Sequence, residues 1–258
     1  HVHGDQFFYE LPKPLGALGF IIERYVFPLL YQHIPIIAIS KTTKRQLTSI
    51  GLPSNNITIV YSGINGSHRV AASMPKKFSN PTILYLGRIK KYKRVDLLVS
   101  LFNEIVKKIP KARLIVAGWG TEASHLTDII MKSPLRRKIS LVGPVSDKEK
   151  KKLLSQSWVF VNPSIGEGWS IAVIEANLHG TPAVSFNVPG LAESIQQGKT
   201  GLLAKNADDL VDKICNVLTD KHLRDRLGTN AFQWAHEFSW DRSAKESLRV
   251  LEKTRKKN

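Results

Sequence analysis

Short apolar runs alternate with amphipathic stretches along most of this chain. IPIIAIS (34–40), ITIVYS (57–62), TILYLG (82–87), ARLIVAG (112–118), KISLVG (138–143), WVFVNPS (158–164) and TPAVSF (181–186) read as strands. Most are apolar at consecutive positions, the pattern of a strand covered on both faces in a parallel sheet. Leu98, Leu101, Phe102, Ile105, Val106 and Ile109 fall at helical spacing, as do Leu210, Val211, Ile214, Val217 and Leu218. Strand and helix in alternation predict an α/β fold with a doubly wound parallel sheet.

The alternation lapses in SGINGSHRVAASMPKKFSNP (62–81), which is rich in Gly, Ser, Pro and Lys. About two strand–helix units precede it and about five follow. Residues 1–70 are therefore expected to be the tail of one α/β domain, 71–240 a second α/β domain, and 241–258 a closing helix with a basic tail. One further apolar stretch, LGALGFIIERYVFPLLY (15–31), is broken by Glu23 and Arg24 and is too short to span a bilayer. It is expected as a core helix, with a groove-facing or membrane-facing helix as the alternative.

Composition changes this picture mainly through charge. The 258 residues carry a formal net charge of +17, with clusters at KKYKR (90–94), LRRK (135–138), KEKKK (148–152) and TRKK (254–257). Such a charge points to an anionic partner: phosphates, nucleic acid or an anionic membrane surface. No aromatic and basic residues interleave in a recognition motif, so nucleic acid is not expected as a partner. Cys215 is the single cysteine, so no disulfide framework forms within the chain, and its apolar neighbours mark it as core filler. With no signal peptide in view, the expected location is cytoplasmic, extending to the inner face of the membrane. The glycosylation-type triplets Asn56-Ile57-Thr58 and Asn65-Gly66-Ser67 are then chance matches.

Three polar clusters fall where strands of an open α/β sheet end, which is where such sheets bind ligands. In TILYLGRIKKYKRVDLL, Arg88 follows the strand at once and Lys93 precedes the next helix. Both cations at a helix start suit a phosphate pair, Arg by two hydrogen bonds and Lys as a point charge. In ARLIVAGWGTEASHL, Gly118 and Gly120 permit a tight turn and close approach of a ligand. In PSIGEGWSIAVIEA (163–176), Glu167 stands in the loop, Trp169 or Ser170 starts a helix, and Glu175 lies inside it. Gly168 leaves the approach open, so that the N–H groups of Trp169, Ser170 and Ile171 can face an anion. Two carboxylates around an anion site fit a ligand with hydroxyls on either side of a diphosphate, a nucleotide-sugar, with Glu175 on the ribose and Glu167 on the sugar.

The ordered motifs resemble family 4 of the retaining glycosyltransferases, which have the GT-B fold. They are Gly87-Arg88 with Lys93, Ala117 to Gly120, Pro163 to Ala176, Gly180 to Pro182, Gly190 to Glu193 and Gly198 to Leu203, and the closing FSWDRSAKESL (238–248) is similar to the family's last helix. The resemblance implies a complete C-terminal Rossmann-like domain with part of the N-terminal one, the chain being N-terminally truncated. It implies that Arg88 and Lys93 hold the diphosphate, Glu167 contacts the donor sugar, Glu175 the ribose, and backbone near Val145 the base. It also implies retention of anomeric configuration, no cofactor and no metal, the two cations taking a metal's place. His3 corresponds to a histidine that family members carry near the donor sugar; a metal site from His1, His3 and Asp5 is the rival reading. The acceptor would be a glycan or a lipid-linked sugar, and the fragment alone is expected to bind donor without necessarily turning it over. Ser170 departs from the usual Gly-Phe-Gly and places a hydroxyl beside the phosphate path. A sugar-nucleotide epimerase, a non-catalytic nucleotide-sugar sensor and a basic nucleic-acid-binding protein are the alternatives.

Overall fold

A computed structural model describes residues 2–4, 6–65 and 76–255 of the chain. The expected border at 70/71, the tail beyond residue 255, and His1 and Asp5 of the rival metal reading lie outside the described residues. The chain divides into two compact units. The first comprises His1–Asn65, Glu167–Trp169 and Phe238–Asn258; the second comprises Gly66–Gly166 and Ser170–Glu237.

In the first unit, short helices α1 (Gln6–Glu10), α2 (Lys13–Ile21) and α3 (Phe27–Tyr31) surround a π-helical turn at Ile22–Val26. The expectation of a core helix over 15–31 is corrected here. Leu15, Leu18, Ile21, Ile22, Tyr25, Leu29 and Leu30 are all exposed, and Gly16 is the buried residue of α2, held against the Phe7 carbonyl. Apolar residues lie all round this segment, while the neighbour it meets, α1, is only five residues long. Next come β1 (Ile36–Ala38), α4 (Lys41–Ser49) and β2 (Ile57–Ile59), with β1 and β2 pairing in parallel. Ser40 caps α4 by accepting from the Thr43 N–H at 2.9 Å. Ala38, Leu47, Leu52 and Ile57 form one apolar cluster here, and Val60, Ile64, Trp169 and Phe238 are buried as well. The closing helix, Trp240–Arg255, belongs to this unit, and its Ser243 hydroxyl donates to the Tyr61 carbonyl at 2.5 Å.

The second unit alternates strand and helix throughout. Its elements are β3 (Thr82–Leu86), α5 (Val95–Lys108), β4 (Arg113–Ala117), α6 (Ala123–Lys132), β5 (Ile139–Gly143), α7 (Asp147–Gln156) and β6 (Val159–Asn162). These are followed by α8 (Ile171–Leu178), β7 (Ala183–Phe186), α9 (Leu191–Ser194), β8 (Gly201–Ala204), α10 (Ala207–Thr219) and α11 (Lys221–Ala235). All six strands run parallel in the order β5-β4-β3-β6-β7-β8. The eighth strand, β8, is not among the seven expected from the sequence.

Successive residues of β3 serve opposite faces. Ile83 and Tyr85 join a core with Leu98 and Phe102 of α5 and Leu210 and Ile214 of α10. Leu84 joins another with Leu154 of α7 and Val173 and Ala176 of α8. Burial of both faces is why these strands are apolar without alternation. Cys215 is buried in the first of these cores, and burial raises its thiol pKa.

Candidate functional site

The sheet order places a switch between β3 and β6. From β3 the chain winds outward through β4 to β5; it then returns to the other side of β3 and winds outward through β6, β7 and β8. The helices that follow β3 and β6 pack on opposite faces. A crevice therefore opens at the carboxyl ends of these two strands. Gly87-Arg88 leaves β3 there, and Pro163-Ser164 leaves β6 there.

The loop after β3 is fixed by backbone contacts with the loop after β4. The Ile89 N–H donates to the Trp119 carbonyl at 2.7 Å, and the Glu122 N–H donates to the Ile89 carbonyl at 3.1 Å. A Cβ on Gly118 would lie 1.9 Å from the Gly87 oxygen, and one on Gly120 would lie 2.1 Å from the Ile89 oxygen. The glycines expected to admit a ligand thus admit the neighbouring loop. Between them Trp119 is 65% exposed.

Arg88 is exposed, and its guanidinium donates to the Tyr92 hydroxyl at 3.1 Å, while its carbonyl accepts from the Tyr85 hydroxyl at 2.7 Å. Lys93 Nζ stands 5.0 Å over the Tyr92 ring. Tyr92, buried among basic neighbours, therefore orients both candidate cations. Arg94 then starts α5 from a left-handed conformation (φ 51°), the single positive-φ non-glycine residue among the described residues. Such a conformation costs about 1–3 kcal/mol and collects at functional loops.

The loop after β6 is gathered by buried Asn162. Its Oδ1 accepts from the Ser164 hydroxyl at 2.6 Å and the Ser164 N–H at 3.2 Å, and its Nδ2 donates to Ser170 Oγ at 3.2 Å. The Ser170 N–H donates to Ser194 Oγ at 3.0 Å. The expectation that the Ser170 amide faces an anion is corrected accordingly, since Ser194 already occupies that N–H. Ile171 opens α8, one residue after Ser170, the later of the two expected starts. Glu175 Oε1 accepts from Lys150 Nζ at 2.8 Å, and this bond is the main cause of a raised Lys150 pKa. Val145 is partly exposed and precedes Ser146, whose capping box with Glu149 starts α7.

Helix capping divides the second unit in a way that bears on anion binding. The helices after the two outer strands have side-chain caps: Ser146 on α7 and Asn206 on α10. The helices after the inner strands β3, β4 and β6, namely α5, α6 and α8, begin without one. Their first amides and positive dipole ends lie at the carboxyl edge of the central strands.

Glu167, Gly168 and Trp169 belong to the first unit, as does His3. Ser40 Oγ donates to the Gly168 carbonyl at 2.6 Å. The Trp169 indole is buried against Tyr61 (4.9 Å between centroids) and Phe238 (5.0 Å), leaving only its backbone to a ligand. Glu167 is partly exposed. The backbone N–H of His3 donates to Glu23 Oε1 at 2.8 Å, and its Nδ1 lies 3.3 Å from the same oxygen. Among the described residues, no three His, Cys, Asp or Glu side chains come together as metal ligands. Reading the sequence missed Tyr92, Asn162, Lys150 and Ser194. Only Tyr92 and Asn162 left a signal, an aromatic inside a basic run and an amide closing an apolar strand.

Comparison with known proteins places this arrangement. The family model of the group 1 glycosyl transferases matches residues 71–234. An uncharacterized glycosyltransferase of Methanocaldococcus jannaschii is 30% identical over 235 residues, covering 85% of this chain and 60% of the relative. A D-inositol 3-phosphate glycosyltransferase of Nocardioides is 29% identical over 190 residues, covering 67% of this chain and 42% of the relative. The chain thus spans about half the length of the curated relatives it matches. Among solved structures, sucrose-phosphate synthase of Thermosynechococcus elongatus superposes with a TM-score of 0.78 at 20% identity, over 92% of this chain and 62% of that one. HepE of Anabaena in complex with UDP-glucose superposes with a TM-score of 0.75 at 17% identity, over 91% and 67%. The parallel α/β architecture is that of the GT-B glycosyltransferases, and the chain belongs to the group 1 glycosyl transferases.

Proposed function

We propose that this chain carries the donor-binding portion of a retaining, metal-independent glycosyltransferase of family 4, acting on a nucleoside-diphosphate sugar. The observation that carries the reading is the meeting of Arg88, Lys93 and the uncapped helix starts at the β3/β6 switch. Arg88 and Lys93 hold the diphosphate and stabilise the charge that gathers on it as the bond to the anomeric carbon breaks. An acceptor hydroxyl attacks the same face, passes its proton to the departing diphosphate, and leaves the configuration retained. The Ile171 end of α8 supplies backbone polarity to the phosphates. Glu175, oriented by Lys150, accepts from the ribose hydroxyls; Glu167 and His3 serve the donor sugar; Val145 and Gly118 border the base.

The acceptor is a glycan or a lipid-linked sugar at an anionic membrane surface. The exposed apolar residues of 15–31 and the net charge of +17 support that placement, and no described helix is long and apolar enough to cross a membrane. Failure to co-sediment with anionic vesicles at low salt would remove it.

Calorimetric titration with UDP, GDP, ADP and their sugar conjugates in EDTA tests the donor site. UDP-glucose comes first, because HepE was solved with it. Metal-free binding of one nucleotide is expected, weakened tenfold or more by Glu175→Ala or Arg88→Gln and a few-fold by Lys150→Met. Binding that is unchanged in Arg88→Gln, or that needs a divalent metal, would sink the assignment.

A further inference from the structure

The first unit contains a cavity of about 810 Å³ that the donor-site reading does not use. It lies among the entry to β1, the strand β2 and the closing helix. Its charged wall comes from that helix: Arg242, Glu246, Arg249 and Lys253 recur at helical spacing and share one face. Lys41, at the first turn of α4, adds a fourth cation. Glu246 is the single acid in the lining, and it accepts from Arg242 Nε at 2.9 Å. Arg249 and Lys253 have no hydrogen-bond or ion-pair partner among the described residues.

Two unpaired cations on one turn-to-turn stripe of a concave wall attract an anion. The rest of the lining says what the anion is attached to. The volume is that of a small-molecule pocket and far exceeds a bare phosphate. Asn55 and Thr58 bring an amide and a hydroxyl to the lining, Thr254 a hydroxyl oxygen whose proton goes to the Val250 carbonyl at 2.9 Å, and Tyr61 and Pro35 bring ring surface. Polar side chains beside one aromatic ring suit a ligand covered in hydroxyls.

We propose that this cavity binds a phosphorylated sugar, with the phosphate on Arg249 and Lys253 and the sugar body between Tyr61 and the Asn55–Thr58 edge. The site is distinct from the donor site: none of its lining residues is among those assigned to the donor.

The test uses the full chain and three probes, glucose 6-phosphate, glucose and inorganic phosphate, titrated by calorimetry. Glucose 6-phosphate is expected to bind more tightly than either of the others. The double variant Arg249→Gln/Lys253→Gln should weaken it by tenfold or more and leave UDP binding unchanged; circular dichroism confirms the fold. Arg88→Gln should leave glucose 6-phosphate binding unchanged, so this site and the donor site can fail separately. No binding of glucose 6-phosphate, or equal binding in the double variant, overturns the proposal. So does inorganic phosphate binding as tightly as the sugar phosphate, which would mean a simple anion site. If the double variant folds poorly, Lys253→Gln alone decides by the same comparison.

Discussion

The two units solve the same problem with different means. The second covers both faces of a six-stranded sheet, with residues such as Ile83, Leu84, Leu114 and Phe160 fully buried. The first has two three-residue strands, a small apolar cluster of Ala38, Leu47, Leu52 and Ile57, and an apolar segment that faces outward. Its order rests on point contacts instead: Ser243 on Tyr61, Ser40 on Gly168, and Trp169 between Tyr61 and Phe238. A large shared core tolerates the loss of one contact, and a small one does not. Amide exchange should therefore be slow across β3–β8 and fast across 13–31.

The sharpest way to break the contrast is to damage the second unit where it has no slack. Gly118→Ala puts a Cβ within bonding distance of backbone that cannot move alone, at a positive φ of 139°. A loss exceeding about 4 kcal/mol in urea unfolding is expected, the range reserved for backbone and core disruption. Next is Trp169→Ala, which removes the largest side chain of the aromatic cluster in the first unit. It should cost about 3–5 kcal/mol locally, read as faster amide exchange at Tyr61 and Phe238 with β3–β8 unchanged. Equal acceleration in both regions would show that the units do not differ in the way described.

A smaller effect concerns Lys77, which donates to the Ser155 carbonyl at 3.0 Å and to Thr181 Oγ1 at 2.8 Å. Burial first, and the Arg224 charge second, lower its pKa to about 8. Below pH 8 the amine is charged in folded and unfolded chains alike, and the cost of burying that charge is present in full. Between pH 8 and the ordinary lysine value only the unfolded chain keeps the proton, so stability rises with pH. The urea midpoint of the native chain should gain on that of Lys77→Met between pH 7.5 and 9.5, by on the order of 1 kcal/mol. A constant difference would refute the linkage. Smallest of all is Leu29→Ser. The side chain is 69% exposed, so stability should move by less than about 0.5 kcal/mol; a loss near 2 kcal/mol would mean that the outward face has a partner.

What could be read from the sequence follows the range of each interaction. The both-face burial of β3, β4 and β6 is written in consecutive apolar residues, and the cap of α7 is written as Ser146 with Glu149 three residues on. The place of Arg88 and Lys93 between β3 and α5 was legible because a strand end and a helix start are local signals. The partner of Glu175 was not, since Lys150 lies 25 positions away on another helix. Asn162 bonds across eight positions to Ser170, and no periodicity reports such a link. The stretch 15–31 misled because an apolar run records hydrophobicity and not whether a neighbour is there to cover it. β8 was missed because it is four residues long and opens on a glycine, which weakens a strand pattern, although Gly201 is needed where its missing Cβ would meet the Ala183 oxygen at 2.1 Å.

The backbone contact between the loops after β3 and β4 also sets where variation is permitted. Positions 118 and 120 are closed to every side chain, yet position 119 between them is open and holds a tryptophan facing outward. A library that varies this loop should randomise Trp119 and leave its two neighbours as glycine. The frame that forbids change on either side is what keeps a new side chain at 119 aimed in the same direction, so that each variant differs in chemistry and not in placement.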